Sequence, residues 1–259
     1  MSAMAPSDLI DLANRLAEAS GAVIRPYFRQ PIAIDTKADA SPVTIADREA
    51  EQAIRALLAE ARPGDGIIGE EFGNENADAE FVWVIDPIDG TKSFITGRPI
   101  FGTLIGLMER GAPVMGMIDQ PVGGERWIGV RGHGATLNGE PVRVRACPAL
   151  ADATIGTTAP DLFDAAGTEA WRRAAAAARH AIYGGDCYTY AQLAGGLVDA
   201  VIEAGLQTYD FAALAPVIEE AGGIVTDWEG NPLTLSADGT VVACGDPRVH
   251  SELLDLLAG

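Results

Sequence analysis

Two aspartates three residues apart, in Asp86-Pro87-Ile88-Asp89-Gly90-Thr91, are the side chains of this sequence best placed to do chemistry. They follow Phe81-Val82-Trp83-Val84-Ile85, an unbroken apolar run that reads as a buried strand. Such a strand delivers both carboxylates across a proline turn at its carboxyl end, where α/β sites commonly lie, and both can face one pair of cations. Gly90 lets the backbone N–H groups of Gly90 and Thr91 come close to an anion. The plain alternative is an ordinary turn, since Asp-Pro opens many turns and Asp89-Gly90 alone would make one.

The overall charge sharpens that reading. With 18 basic against 37 acidic residues the chain carries −19 at pH 7, and it has no basic stripe for a nucleic-acid backbone or an anionic membrane. A protein this acidic holds a phosphate only where something locally reverses its field, and bound divalent cations are the usual agents. His133, His180 and His250 are far apart in sequence, so oxygen ligands and magnesium or manganese are expected rather than zinc. Cys147, Cys187 and Cys244 are dispersed and show no Cys-x-x-Cys pairing, and they read as reduced core residues. No apolar run approaches the roughly eighteen residues of a membrane span, and Met1 to Ser7 lack the order of a signal peptide. A cytoplasmic location is therefore expected.

The elements that must position these residues fall into two series. Leu9, Leu12, Leu16 and Val23, behind Ser7 and Asp8, predict an amphipathic helix ending near Pro26. Thr44-Ile45-Ala46-Asp47 is a capping box that opens a second helix through Ala53, Leu57 and Leu58. Strands are predicted at Phe81–Ile85, Gly102–Met108, Val114–Ile118 and Arg126–Val130, with a hairpin at Asn138-Gly139. Beyond a composition shift near Ala146–Ala151 the order is strand Thr154–Thr158, a helix around Glu169–Ala181, and a glycine turn at Gly184-Gly185. A helix Tyr190–Leu197, strand Ala200–Glu203, helix Phe211–Ala221, strands Gly223–Asp227 and Thr240–Cys244, and a helix from Asp246 follow. This suggests a first half over residues 1–148, helices on an antiparallel sheet, and an α/β half over 149–259, packed as one unit.

Four separated blocks, in order, resemble the inositol monophosphatase family of magnesium-dependent, lithium-sensitive phosphatases. They are Lys37 with Ser41-Pro42-Val43-Thr44 and Asp47; Ile68-Gly69-Glu70-Glu71; Trp83 through Thr91; and Tyr209-Asp210-Phe211 running into Glu220-Ala221-Gly222-Gly223. The resemblance implies a layered αβαβα fold of α+β and α/β character, and a homodimer. It also implies that Glu70, Asp86 and the carbonyl of Ile88 hold one magnesium, and that Asp86, Asp89 and Asp210 hold a second. A third, looser ion would sit near Glu70. Asp89, Gly90 and Thr91 would bind the phosphate, and Glu70 and Thr91, backed by Asp47, would orient the attacking water. Paired cations of this kind stabilise both oxygens of an in-line displacement, so no catalytic Cys, His or Ser is needed. Each residue also has a plainer reading: Asp47 in the capping box, Asp210 as the N-cap of a helix at Phe211, and Glu70 and Glu71 as solvated surface charges.

Three local features are similar to the histidinol-phosphate phosphatase branch: Lys92-Ser93-Phe94, Gly184-Gly185-Asp186-Cys187-Tyr188, and Gly116 to Pro121 followed by Gly124-Glu125-Arg126-Trp127. Histidinol phosphate has a cationic tail, which carboxylates match. Gly185, Asp186, Glu203 and Asp210 are accordingly the expected substrate residues, against the plainer readings of a helix cap for Asp186 and an edge-strand charge for Glu203. An inositol-1-phosphatase, another small-polyol phosphatase or a nucleotide 3′-phosphatase is the alternative. A sensor that kept the fold without catalysis is the reading from another class.

Overall fold

The structure, a computed structural model, describes residues 4–36 and 42–258. Lys37 and Ser41, of the block that runs to Asp47, lie outside the described residues.

Two helices, α1 (Pro6–Ile24) and α2 (Ile45–Ala61), flank a two-stranded ribbon, β1 (Ile34–Thr36) and β2 (Pro42–Thr44). There follow β3 (Gly66–Gly69), β4 (Gly73–Glu75), β5 (Phe81–Asp89), the short α3 (Thr91–Ile95), and β6 (Gly102–Glu109), β7 (Ala112–Gln120), β8 (Glu125–Val130), β9 (Gly134–Leu137) and β10 (Glu140–Val142). These strands form an eight-stranded sheet in the order β10-β9-β8-β7-β6-β5-β3-β4, antiparallel except where β3 runs parallel to β5. The remaining elements are β11 (Thr154–Thr157), α4 (Ala165–Ala177), β12 (His180–Tyr183), α5 (Asp186–Ala194), β13 (Ala200–Glu203), α6 (Thr208–Phe211), α7 (Leu214–Glu220), β14 (Ile224–Thr226), β15 (Val241–Cys244) and α8 (Pro247–Leu257). Their strands make a mixed five-stranded sheet, β12-β11-β13-β15-β14.

Apolar side chains stack these elements into five layers. Leu12 and Leu16 of α1 and Ile54 and Leu58 of α2 pack on Trp83, Ile105 and Met117, one face of the large sheet. Its other face, through Leu104, Ile118 and Trp127, meets α5 and α7, which also cover Val201, Val241 and Ala243 of the small sheet. Behind that sheet, Trp171 of α4 and Leu253 of α8 close the stack on Ile202 and Val242. The layering is αβαβα, as expected, and it is continuous because sheets buried on both faces need helices on both.

Three sheet glycines set the depth of the middle layer. Gly106, Gly116 and Gly129 are cross-strand neighbours on β6, β7 and β8. A Cβ at any of them would run into the backbone of Ala212, Ala213 or Pro216. The missing side chains form a trough that seats the chain between α6 and α7, and so fix Asp210 beside the end of β5.

Several local expectations need correction. The first helix begins at Pro6 with Ala5 as its N-cap, so Ser7 and Asp8 lie within its first turn. Strand β5 does not stop at Ile85 but runs through Pro87 to Asp89, with a bulge between Asp86 and Asp89. At a bulge the N–H that proline lacks is not demanded by the ladder. The helix expected over Glu169–Ala181 ends at Ala177, because Ala178 turns extended and His180–Tyr183 pairs in parallel with β11. Helix α5 starts four residues earlier than Tyr190 and stops at Gly195, and the helix expected over Phe211–Ala221 is two short ones, α6 and α7. The Asn138-Gly139 hairpin is present, with both residues in the left-handed region.

Candidate active site

The bulge at the end of β5 aims its carboxylates at those of other elements. One oxygen from each of Asp86, Asp89 and Asp210 lies within 4.8 Å of the others, Asp86 buried at 2% exposure and the other two partly buried. Burial pushes Asp86 well above the usual carboxylate range, and the charges of Glu70, Asp89 and Asp210 push it further. Burial, Asp186 and Asp210 raise Asp89 likewise, although the Cys187 N–H donates to its Oδ2 at 2.7 Å. Three carboxylates this close, two of them raised by one another's charge, fit a bound cation: carboxylate oxygens are the donors that magnesium and calcium take.

Glu70 follows β3, and its N–H donates to the carbonyl of Ile85 at 3.1 Å. It is close enough to raise both Asp86 and Asp47. The Glu70-Glu71 turn is held from below by Glu51, which the sequence reading missed. Glu51 is fully buried on α2 and accepts from the N–H of Glu71 at 2.7 Å and from Arg55 Nε at 2.8 Å. The signal was available, because Asp47, Glu51 and Arg55 recur every four residues on one helix face.

Asp47 closes the expected capping box and also meets Thr91. Its Oδ2 accepts from the N–H and hydroxyl of Thr44 at 2.9 and 2.6 Å, which closes the capping box, and its Oδ1 faces the Thr91 hydroxyl at 3.4 Å. The Thr91 hydroxyl also lies 3.2 Å from the carbonyl of Ile88. Gly90 adopts φ 80°, a left-handed turn that starts α3 at the cleft. Asp210 is not the N-cap of a helix at Phe211: Gln207 holds that position for α6, and Asp210 Oδ2 accepts its N–H at 2.6 Å in a second capping box.

Beside the carboxylates opens a cleft of about 220 Å³, lined by Glu70, Asp89, Thr91, Asp186, Tyr190 and Glu203 among others. Three successive positive φ values at Gly184, Gly185 and Asp186 bring the second half up to it. Asp186 is the first residue of α5 and not its cap; its Oδ2 accepts from the buried Ser93 hydroxyl at 2.6 Å. Glu203 is not an edge charge either. Its strand β13 lies between β11 and β15, and the carboxylate is 2% exposed. One oxygen accepts from the N–H of Thr158 at 2.6 Å while Oε2 has no partner among the described residues. Burial raises its pKa to about 7 despite the Thr158 bonds.

Comparison with known proteins decides the family, since the inositol monophosphatase family model matches residues 5–258. The chain belongs to the inositol monophosphatase family. Among its relatives, the bifunctional phosphatase IMPL2, chloroplastic, of Arabidopsis thaliana is 48% identical over 97% of this chain and 78% of that one. A histidinol-phosphatase of Chlorobaculum parvum is 36% identical over 90% and 91%. The solved structure of an inositol monophosphatase from Zymomonas mobilis superposes with a TM-score of 0.92, at 48% identity, covering 99% of this chain and all of that one. Membership makes the chain a metal-dependent phosphoric monoester hydrolase acting on small phosphate esters. No helix among the described residues is long and apolar enough to cross a membrane.

Proposed function

We propose that this chain hydrolyses L-histidinol phosphate to L-histidinol and phosphate. The observation that carries the proposal is Glu203: a carboxylate 2% exposed, with one oxygen unpartnered among the described residues, lining the cleft beside the acidic cluster. Leaving such an oxygen unpaired is costly unless a ligand donates to it, and a tail bearing an ammonium and an imidazole supplies donors. Asp186 adds a second carboxylate on the same cleft, with Gly185 and Asp210 beside it. The histidinol-phosphatase relative lends the same support.

In this reading Glu70, Asp86 and the Ile88 carbonyl would hold one magnesium and Asp86, Asp89 and Asp210 another, with manganese able to substitute. Ions held there would supply charge neutralisation for the phosphate and a lowered pKa for a water. The chain's own groups do the positioning. Gly90 and Thr91 present backbone N–H groups to the phosphate oxygens next to Asp89. The Thr91 hydroxyl, fixed toward Asp47 and the Ile88 carbonyl, keeps a lone pair for a hydrogen of the attacking water, and Glu70 holds that water from the other side. Water oxygen joins phosphorus as the P–O bond to the alcohol breaks, and the alcohol leaves with a proton, so no covalent enzyme intermediate is required. The enzyme acts in the cytoplasm, as a homodimer, without nucleic acid or membrane as partner.

An inositol-1-phosphatase is the second reading, favoured by the likeness to the Zymomonas mobilis enzyme. A panel of histidinol phosphate, inositol 1-phosphate, fructose 1,6-bisphosphate and adenosine 3′,5′-bisphosphate with magnesium, compared by kcat/KM, separates them. Histidinol phosphate is expected to lead; a lead for inositol 1-phosphate would reverse the assignment, and no turnover of any ester would favour the non-catalytic sensor.

A further inference from the structure

Tyr190 is 2% exposed, yet its hydroxyl has no hydrogen-bond partner among the described residues. Buried tyrosine hydroxyls nearly always find one. Tyr190 sits on α5 one turn beyond Asp186, so the two share a helix face, and both line the cleft. Glu203 comes to the same cleft from β13, with its own unpartnered Oε2. The two groups are close enough for the Glu203 charge to act on the phenol, but neither bonds to the other. Two residues from different elements, each with an unsatisfied polar atom, therefore line one cleft, one offering a carboxylate acceptor and the other a hydroxyl able to donate.

We infer that Tyr190 is a specificity-determining residue: its hydroxyl and Glu203 Oε2 together receive the substrate end remote from the phosphate, and the group they fit is an azole ring. A neutral azole offers one N–H and one bare ring nitrogen. The N–H donates to Glu203 and the bare nitrogen accepts from the Tyr190 O–H, satisfying both atoms at once. An ammonium could satisfy Glu203 but has no lone pair for the phenol to donate to. This rests on the proposed histidinol phosphate activity and adds to it which atoms of the chain read the ring. Sites built to bond a polar substrate group discriminate strongly, because a ligand lacking it leaves buried atoms unpaired.

The test is Tyr190→Phe in the full-length, magnesium-loaded enzyme, assayed on histidinol phosphate and p-nitrophenyl phosphate, with L-histidinol and myo-inositol as inhibitors. Removing one unsatisfied oxygen is expected to leave the melting temperature equal or higher, which keeps the variant interpretable. The ratio of kcat/KM for histidinol phosphate to that for p-nitrophenyl phosphate is expected to fall about 5- to 50-fold. The loss should lie in KM rather than kcat, with inhibition by L-histidinol weakened in parallel and that by myo-inositol weakened less. A wild-type enzyme that prefers histidinol phosphate, with a Tyr190→Phe ratio within about twofold of it, overturns the role of Tyr190 alone. Equal losses on both esters would make the residue merely structural and also overturn it. A wild type that prefers inositol 1-phosphate overturns the substrate reading and the azole with it.

Discussion

Asp86 and Asp199 are both buried, at 2% and 1% exposure, and they are shifted in opposite directions. Burial would raise Asp199, but the Arg145 guanidinium, bonded to both its oxygens at 2.6 Å, and the Thr154 N–H at 2.7 Å outweigh it and hold it below the usual carboxylate range. Around Asp86 the neighbours are Glu70, Asp89 and Asp210, and each adds to the upward push of burial. The described groups that act most on Asp86 are thus carboxylates, whereas those that act on Asp199 include a guanidinium bonded to both of its oxygens. The folded apo protein thus carries a repulsion that a divalent ion relieves.

The largest expected effect comes from exchanging charge for amide at each end of that comparison. Asp86→Asn should lower turnover at least about 1,000-fold, because the side chain proposed to serve both ions is lost. The apo variant should melt no lower than apo wild type, since one repelling charge is gone. Asp199→Asn should do the reverse, costing about 1–3 kcal/mol of stability while folded molecules keep their turnover, the value discounted because Arg145 is half exposed. Chemical denaturation alongside kcat on both variants checks this; a destabilised apo Asp86→Asn would make that residue structural too.

Next in size, Thr91→Ala should reduce kcat about 100-fold with little change in KM, because its hydroxyl acts mainly in the transition state. Asp47→Asn should lower kcat about tenfold and also lower the melting temperature, since one side chain serves the helix cap and Thr91 together. Steady-state kinetics that left Thr91→Ala at wild-type kcat would remove it from the water site.

At the tail end of the cleft, Glu203→Gln should weaken histidinol phosphate relative to p-nitrophenyl phosphate by about 10- to 150-fold in kcat/KM. Asp186→Asn should do so less, because Ser93 already occupies its Oδ2. Equal effects from the two would mean that the Ser93 bond opens when substrate arrives.

The smallest effect is on pH. The folded pKa values of Asp86, Asp89 and Glu203 lie above their unfolded ones, so in that interval the native state binds more protons and stability falls as pH rises. For Glu203 the interval runs from its ordinary 4.5 to about 7. Asp199, shifted down, contributes stability that is lost only as pH falls below its ordinary 3.8. In chelator the melting temperature should therefore decline between pH 5 and 8, and magnesium should flatten that slope; a rising slope would contradict the site's electrostatics.

Much of this was legible in the sequence because chemistry and geometry left local marks. The Thr44–Asp47 box and the Asn138-Gly139 turn lie where their residue types place them, and Asp86 and Asp89 stand at the end of a buried strand. What was not legible depends on distant partners. Pro87 reads as a turn until β6 pairs across the bulge, and Ala178 reads as helix until β11 takes the next residues into its sheet. Asp186 reads as a substrate carboxylate or a helix cap, and the bond it accepts from Ser93, 93 residues earlier, shows only in the fold. Tyr190 gave no signal in sequence, since an unsatisfied hydroxyl is visible only when all its neighbours are known.

Calorimetric titration of magnesium into wild type, Asp86→Asn and Asp199→Asn, in buffers of differing ionisation enthalpy, tests the difference between the two carboxylates most directly. Wild type and Asp199→Asn should bind alike and release protons, because the raised carboxylates must ionise to hold the ion, and Asp86→Asn should bind at least about tenfold more weakly with fewer protons released. Equal binding and equal proton release by Asp86→Asn and wild type would contradict the account.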